Sequence, residues 1–110
     1  MENYELVQAI RELINNLQIR LEEICKLYQN LNYEFANAKL SFFTEDFMAL
    51  LEGVLIVKED YQELDIEEIQ EKLQEVLDEL ENGDYQLLAD LLFFELKPLL
   101  QYWEEQIIDG

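Results

Sequence analysis

The stretch Asp84–Trp103, DYQLLADLLFFELKPLLQYW, decides the fold of this chain. It is the most apolar segment, and it contains the only proline and the only tryptophan. Its apolar residues recur at three- and four-residue steps, which is the period of one helical face. Further leucines and phenylalanines widen that face, as is typical of a helix buried on several sides. The residues that carry the period, continued one step past the stretch, are Leu88, Leu92, Leu96, Leu99, Trp103 and Ile107.

Residues that break helices mark the start of this helix and predict a bend inside it. Gly83 suits the left-handed conformation that ends one helix, and Asp84 suits the cap of the next. Pro98 lies inside the helix, where it removes one backbone donor and predicts a bend. The carbonyl of Phe94, four residues earlier, is expected to lose its hydrogen-bond partner.

The composition predicts a single domain, residues 1–110, that is almost entirely helical. Half of the residues are apolar, which is enough for a core despite a net charge of −19. Three glycines and one proline leave room for only a few turns. The single cysteine, Cys25, rules out an internal disulfide.

Seven-residue patterns predict an all-α fold, an antiparallel up-down four-helix bundle. The first helix carries an unbroken heptad seam that includes Leu31 at its end. Asn32 is expected to cap the second helix. The third begins at Asp65 with a capping-box pattern and has one narrow apolar stripe. The four helices are expected at about residues 3–31, 33–59, 65–81 and 84–108.

Charge and composition exclude several classes of function. The first residues, MENYELVQ, contain no basic region and no apolar block, so no signal peptide is expected. Every apolar run is too short to span a membrane, and a cytoplasmic protein is predicted. The net charge argues against binding nucleic acid or anionic lipid, because both would be repelled.

The residues needed for common catalytic sites are absent, so no enzyme and no cofactor are predicted. Without histidine the chain has no Ser-His-Asp or Cys-His arrangement and no histidine zinc ligand. It also has no glycine-rich phosphate loop. Inward-pointing Glu52, Asp90 and Glu95 could bind a hard cation. The favoured alternative is that these carboxylates border the core and pair with lysine or arginine.

Two contacts between helices are predicted from the bundle. Arg20 interrupts an apolar line on the first helix, and Glu95 interrupts the apolar run of the fourth. Both should lie at the same height, where they would form a structural polar pair. Gly53 is unfavourable inside a helix, so a packing reason is expected, and Trp103 falls at the same height in the bundle.

Aromatic residues on the second and fourth helices exceed what a single bundle seam can hold. One interpretation is a core unusually rich in aromatic side chains. The other is an exposed apolar face that binds a protein partner or a second copy, as in a homodimer. The candidate interaction face is Phe35, Phe42, Ile56, Phe93, Phe94 and Tyr102.

The segment from Glu59 to Asp84 contains twelve acidic residues against one basic residue, Lys72. Such a run is usually a solvated helix face that keeps a protein soluble. It could also be a surface that mimics nucleic acid or binds a basic partner. No EF-hand spacing is present.

Two sequence pieces resemble a known family when they are taken together. They are Leu51-Glu52-Gly53 and the segment Asp84-Tyr-x-Leu-Leu-Ala-Asp90-x-Leu-x-x-Glu95-Leu-x-Pro98-Leu. They resemble an uncharacterised family of small, acidic, all-helical proteins from Firmicutes. The resemblance implies a bacterial cytoplasmic helical bundle and transfers no site.

These observations favour a non-enzymatic protein–protein interaction module, adaptor- or chaperone-like, that uses apolar faces of the second and fourth helices. The alternative is an acidic protein that mimics nucleic acid or binds a basic protein through the third helix. The two are expected to differ in salt sensitivity, since only the second depends mainly on charge.

Overall fold

The computed structural model describes residues 4–107, which are helical and contain no strand. The four predicted helices are confirmed, and each predicted end that falls within these residues agrees to within about two residues. Residues 3 and 108 lie outside the described part. The elements are α1 (Tyr4–Gln29), α2 (Tyr33–Val57), a 3₁₀ turn (Lys58–Asp60), α3 (Ile66–Asn82), α4 (Tyr85–Asp90), a π-helical turn (Leu91–Leu96) and α5 (Lys97–Ile107).

Local signals set most helix ends. Asp65 accepts a hydrogen bond from the backbone N–H of Glu68 at 3.0 Å, and Asp84 accepts one from Leu87 at 3.1 Å. Gly83 takes the left-handed conformation, with φ of 75°. Asn32 occupies the N-cap position of α2, as predicted, but its side chain makes no capping hydrogen bond.

The fourth predicted helix is continuous but contains one wide turn. Within Leu91–Leu96 the hydrogen bonds reach back five residues, and the N–H of Lys97 donates to the carbonyl of Leu92. Pro98 follows directly, and its ring would clash with the carbonyl four residues earlier in a regular α-helix. A wider turn relieves that clash, so we attribute the π-helical turn to Pro98. Such turns are often found at functional sites.

The predicted seams form the core, except for Leu31 at the end of the first seam. α1 packs along α2 on one side and along α4, the π-helical turn and α5 on the other, while α3 packs on α4 and the π-helical turn. The backbones of α2 and α3 approach each other much less closely. Every buried residue among those described is apolar or tyrosine. The largest fully buried side chains are Trp103, Phe43, Phe47, Ile14, Leu17 and Leu21.

The prediction that Arg20 pairs with Glu95 is wrong. Arg20 Nη1 lies 2.6 Å from Oδ2 of Asp46, and Lys72 Nζ lies 2.8 Å from Oε1 of Glu95. The physical reason is the side of α1 on which Arg20 lies. It borders the contact with α2, whereas Glu95 lies on the π-helical turn, which packs against α3.

The prediction that Gly53 makes room for Trp103 is also wrong. A Cβ atom at Gly53 would lie 3.3 Å from Cγ1 of Ile10 and 3.8 Å from Cδ1 of Leu6. Gly53 therefore makes room for Ile10 and Leu6 of α1.

Candidate functional site

An open groove lies where the end of α1, the start of α2 and the α4–π-helical segment meet. Its volume is about 400 Å³, within the range of about 300–1,000 Å³ that is usual for ligand pockets. We call it the aromatic groove. Its lining residues are Tyr28, Gln29, Leu31, Tyr33, Tyr85, Gln86, Ala89, Asp90, Phe93 and Phe94.

Three tyrosine rings from three helices form one side of the aromatic groove. The ring centroids of Tyr33 and Tyr85 lie 4.5 Å apart, and those of Tyr28 and Tyr85 lie 5.6 Å apart. Tyr28 is buried, Tyr85 is half-buried and Tyr33 is exposed. The cluster thus extends from the core to the surface and gives the groove a rigid apolar base.

Hydrogen bonds hold this cluster in place. The hydroxyl of Tyr28 donates to Oδ1 of Asn37 at 2.7 Å, and Nδ2 of Asn37 donates to the hydroxyl of Tyr85 at 3.3 Å. Burial raises the pKa of the Tyr28 phenol above its ordinary value, and the nearby Tyr85 hydroxyl adds to the rise. The Tyr28 phenol therefore stays protonated and able to donate.

Leu31 projects into the aromatic groove from a strained backbone. It has a φ of 63°, and it is the only non-glycine residue with positive φ among residues 4–107. Its N–H closes α1 by donating to Tyr28, as the N–H of Asn32 does to Leu27. Glycine or asparagine is usual at such a position, because a left-handed leucine costs roughly 1–2 kcal/mol. No burial offsets this cost, since Leu31 is 71% exposed.

Phe93 and Phe94 stand on the π-helical turn and also line the groove. Their centroids lie 5.2 Å apart in an edge-to-face arrangement, and Phe94 is 68% exposed. The Lys97 ammonium lies 4.8 Å from the centroid of Phe93 and also pairs with Glu22. The hydrogen bond from Lys97 holds the pKa of the Glu22 carboxyl below its ordinary value. Phe93 is therefore fixed on one side, while Phe94 faces solvent.

Asp90 is the one charged side chain that lines the aromatic groove. It is exposed and makes no ion pair with any of residues 4–107. The other polar side chains on the lining are Gln29, Gln86 and the tyrosines. The groove thus combines a large apolar surface with a single unpaired negative charge.

All six residues of the predicted interaction face are exposed, but they do not form one face. Phe93 and Phe94 line the aromatic groove, and Tyr102 lies further along, on α5. Phe35, Phe42 and Ile56 lie with exposed Ala49 at seven-residue intervals on the outer side of α2. We call these four residues the α2 line.

Sequence reasoning missed Leu31 and the three tyrosines. The heptad pattern places Leu31 on the buried seam, yet α1 ends at Gln29 and Leu31 faces solvent. The sequence also predicts a short polar break at residues 29–32, and the asparagine on either side of Leu31 favours a helix end there. The tyrosines lie on three different helices, so only the packing brings them together.

The other candidate residues do not assemble a reactive site. Within residues 4–107, no three acidic or cysteine side chains converge as metal ligands, so Glu52, Asp90 and Glu95 do not form such a group. Cys25 is buried, and burial raises the pKa of its thiol to about 11. None of the helices in this part of the chain is long and apolar enough to cross a membrane.

Comparison with known proteins identifies a family. The model of the family described as "Domain of unknown function (DUF8042)" matches residues 5–106. Because the match covers nearly the whole chain, the chain belongs to this family. No curated protein and no solved structure matches the chain.

Proposed function

We propose that this member of the DUF8042 family is a non-enzymatic protein-binding module, adaptor- or chaperone-like, whose main binding site is the aromatic groove. The observation that carries the proposal is Leu31. It holds a costly backbone conformation and exposes 71% of its surface, so its side chain gains little from the fold itself. Residues that break a local rule without compensation are expected at functional sites.

The composition of the groove supports binding to a protein. Tyrosine is enriched among the residues that dominate protein interfaces, because its ring gives a large contact area at a low entropic cost. Tyr33 and Phe94 supply exposed rings. Tyr85 packs against Tyr33, and hydrogen bonds through Asn37 hold Tyr28 and Tyr85 in place beneath the groove. A nucleophile beside a general base, which covalent catalysis needs, does not occur among the lining residues.

Photo-crosslinking tests this proposal in the cells that make the protein. A photoreactive phenylalanine analogue is placed at Phe94 in the groove and, as a control, at exposed Gln74 on α3. We expect a discrete crosslinked protein from position 94 and not from position 74. Equal crosslinking from both positions, or none from position 94, would contradict a binding site at the groove.

For the arrangement of the helices we propose the antiparallel up-down bundle. Two contacts support it for α1 and α2. Tyr28 contacts Asn37 and Arg20 contacts Asp46, so residue numbers increase along α2 in the direction in which they decrease along α1. Tyr28 contacts Tyr85 and Glu22 contacts Lys97, which supports an antiparallel arrangement of α1 and the fourth helix as well. We also propose a bacterial, cytoplasmic location, as the sequence resemblance to a family of small acidic helical proteins implies.

A second candidate function is binding of a basic protein through α3, in the manner of a nucleic-acid mimic. α3 buries only Ile66, Ile69, Leu73 and Val76 and presents acidic residues elsewhere. Residues 59–84 contain twelve acidic residues and one basic residue, Lys72. Lys72 forms ion pairs with Glu75 and Glu95. Binding through α3 should fall steeply with salt and should not depend on Phe94, whereas binding in the aromatic groove should depend on Phe94.

A further inference from the structure

The nature of the helical fold restricts what the aromatic groove can hold. Residues 4–107 contain no strand, so this part of the chain offers no sheet edge with free backbone groups. An extended peptide could therefore not bind by adding a strand, and its backbone would gain no sheet hydrogen bonds from these residues. A helix satisfies its backbone internally and needs only an apolar surface, which is how helix-in-groove recognition works.

The charge of the chain restricts the occupant further. A second copy would bring another net charge of −19 towards the first. Within the groove, Asp90 has no partner and no basic side chain lines the surface. Lysine or arginine on the occupant would supply the missing partner, and an arginine could also stack on the exposed ring of Phe94.

From these observations we infer that the aromatic groove binds an amphipathic helix of net positive charge. Its apolar residues enter between Leu31 and Phe94, and one of its basic residues pairs with Asp90. The inference rests on the proposed function and adds the chemical class of the partner. Leu31 and Phe94 supply the exposed apolar walls, and the tyrosine cluster supplies a base that does not have to be ordered on binding.

Synthetic peptides test the inference directly. The probe is a fluorescent peptide of roughly 18 residues, about five helical turns, with leucine at positions i, i+3, i+4 and i+7 and lysine elsewhere. One matched peptide has the same composition in an order that destroys the apolar face. Another replaces every lysine by glutamine. Binding to the full chain is measured by fluorescence anisotropy at about 150 mM salt.

Three variants locate the binding. Phe94→Ser should weaken binding of the lysine peptide by about tenfold or more, as expected for an interface anchor. Phe42→Ser, on the equally exposed α2 line, should leave it unchanged. Asp90→Asn should weaken the lysine peptide severalfold and leave the glutamine peptide unaffected. All three substituted positions are exposed, so thermal melting is expected to show folded proteins.

Other outcomes would overturn the inference. Equal affinity for the amphipathic and the reordered peptide would show that only charge is recognised. Binding that Phe94→Ser leaves intact would place the peptide elsewhere, such as on acidic α3. If no peptide binds while position 94 still crosslinks a protein in cells, the inference fails and the proposed function stands. If position 94 also yields no crosslink, the proposed function fails as well.

Discussion

Lys72 of α3 donates a hydrogen bond to Oε1 of Glu95 at 2.8 Å and so ties α3 to the π-helical turn. It also lies 3.1 Å from Oε2 of Glu75. The hydrogen bonds that Lys72 donates to the carboxylates of Glu95 and Glu75 raise the pKa of Lys72 above its ordinary value. This bridge takes the place of the predicted Arg20–Glu95 pair, and it joins the acidic helix to the segment that carries Phe93 and Phe94.

The first prediction concerns this bridge. Lys72→Met should lower the free energy of unfolding slightly, because both partners are partly exposed and water screens their interaction. The loss should shrink in high salt. Chemical denaturation of Lys72→Met, Glu95→Gln and the double variant measures the coupling, and Glu75→Gln is the control for the weaker contact. Additive effects of Lys72→Met and Glu95→Gln would show that the pair is not coupled.

The second prediction concerns Gly53 and Ile10. Alanine at position 53 gains about 1 kcal/mol of helix propensity but presses its Cβ against Ile10 at 3.3 Å. In the native background the two effects should nearly cancel. In an Ile10→Ala background, where the crowding is removed, Gly53→Ala should stabilise the protein by about 1 kcal/mol. Urea denaturation of the four proteins measures this difference, and equal effects of Gly53→Ala in both backgrounds would contradict the close approach.

The predictability of the fold depended on how local each signal is. The seams on α2 and α3 and the caps at Asp65 and Asp84 depend on spacing within one helix, so the sequence alone predicts them. The partners of Arg20 and Gly53 depend on how helices rotate about their axes. Counting residues along each helix gives the height of a side chain in the bundle but not the direction in which it points. Both predicted pairings are therefore wrong.

The candidate site was predictable only in part. The surplus of aromatic side chains on the second and fourth helices leaves two interpretations open, an aromatic-rich core or an exposed face, and in the structure Phe93 and Phe94 are exposed. Leu31 was assigned to the core because the heptad spacing continues through it. α1 ends at Gln29, two residues before Leu31, so the helical spacing no longer indicates where the Leu31 side chain points.

The third prediction concerns Cys25. Burial raises the pKa of its thiol from 9.0 to about 11, so the folded protein binds this proton more tightly than the unfolded chain does. The resulting stability is present below about pH 9 and is lost as the pH rises towards 11. Between pH 8 and pH 10.5, Cys25→Ala should therefore lose less unfolding free energy than the native chain. Denaturation at both pH values measures this, and equal losses would contradict the raised pKa.

The fourth prediction concerns self-association through the α2 line. At micromolar concentration, light scattering should report a mass above the 13.2 kDa of one chain, because exposed Phe35, Phe42 and Ile56 favour burial. Moderate salt should strengthen association by screening the repulsion between two chains of charge −19. Phe42→Glu should reduce the mass, while Phe94→Ser should not. A single-chain mass at every concentration would rule out the homodimer.

The fifth prediction separates the two roles of Leu31. Leu31→Gly removes the strain of a φ of 63° and should raise the free energy of unfolding by about 1 kcal/mol. Leu31→Ala keeps a Cβ and the strain, and it should change stability little because the leucine side chain is 71% exposed. Both variants remove the apolar side chain from the groove, so both should weaken binding of the amphipathic lysine peptide by about tenfold.

Opposite signs for stability and binding in Leu31→Gly would show that the strained backbone serves the groove rather than the fold. Denaturation and anisotropy on the same protein samples measure the two quantities together. Unchanged peptide binding in both variants would remove Leu31 from the site. A loss of stability in Leu31→Gly would mean that the leucine side chain contributes to folding after all, by more than the left-handed strain costs.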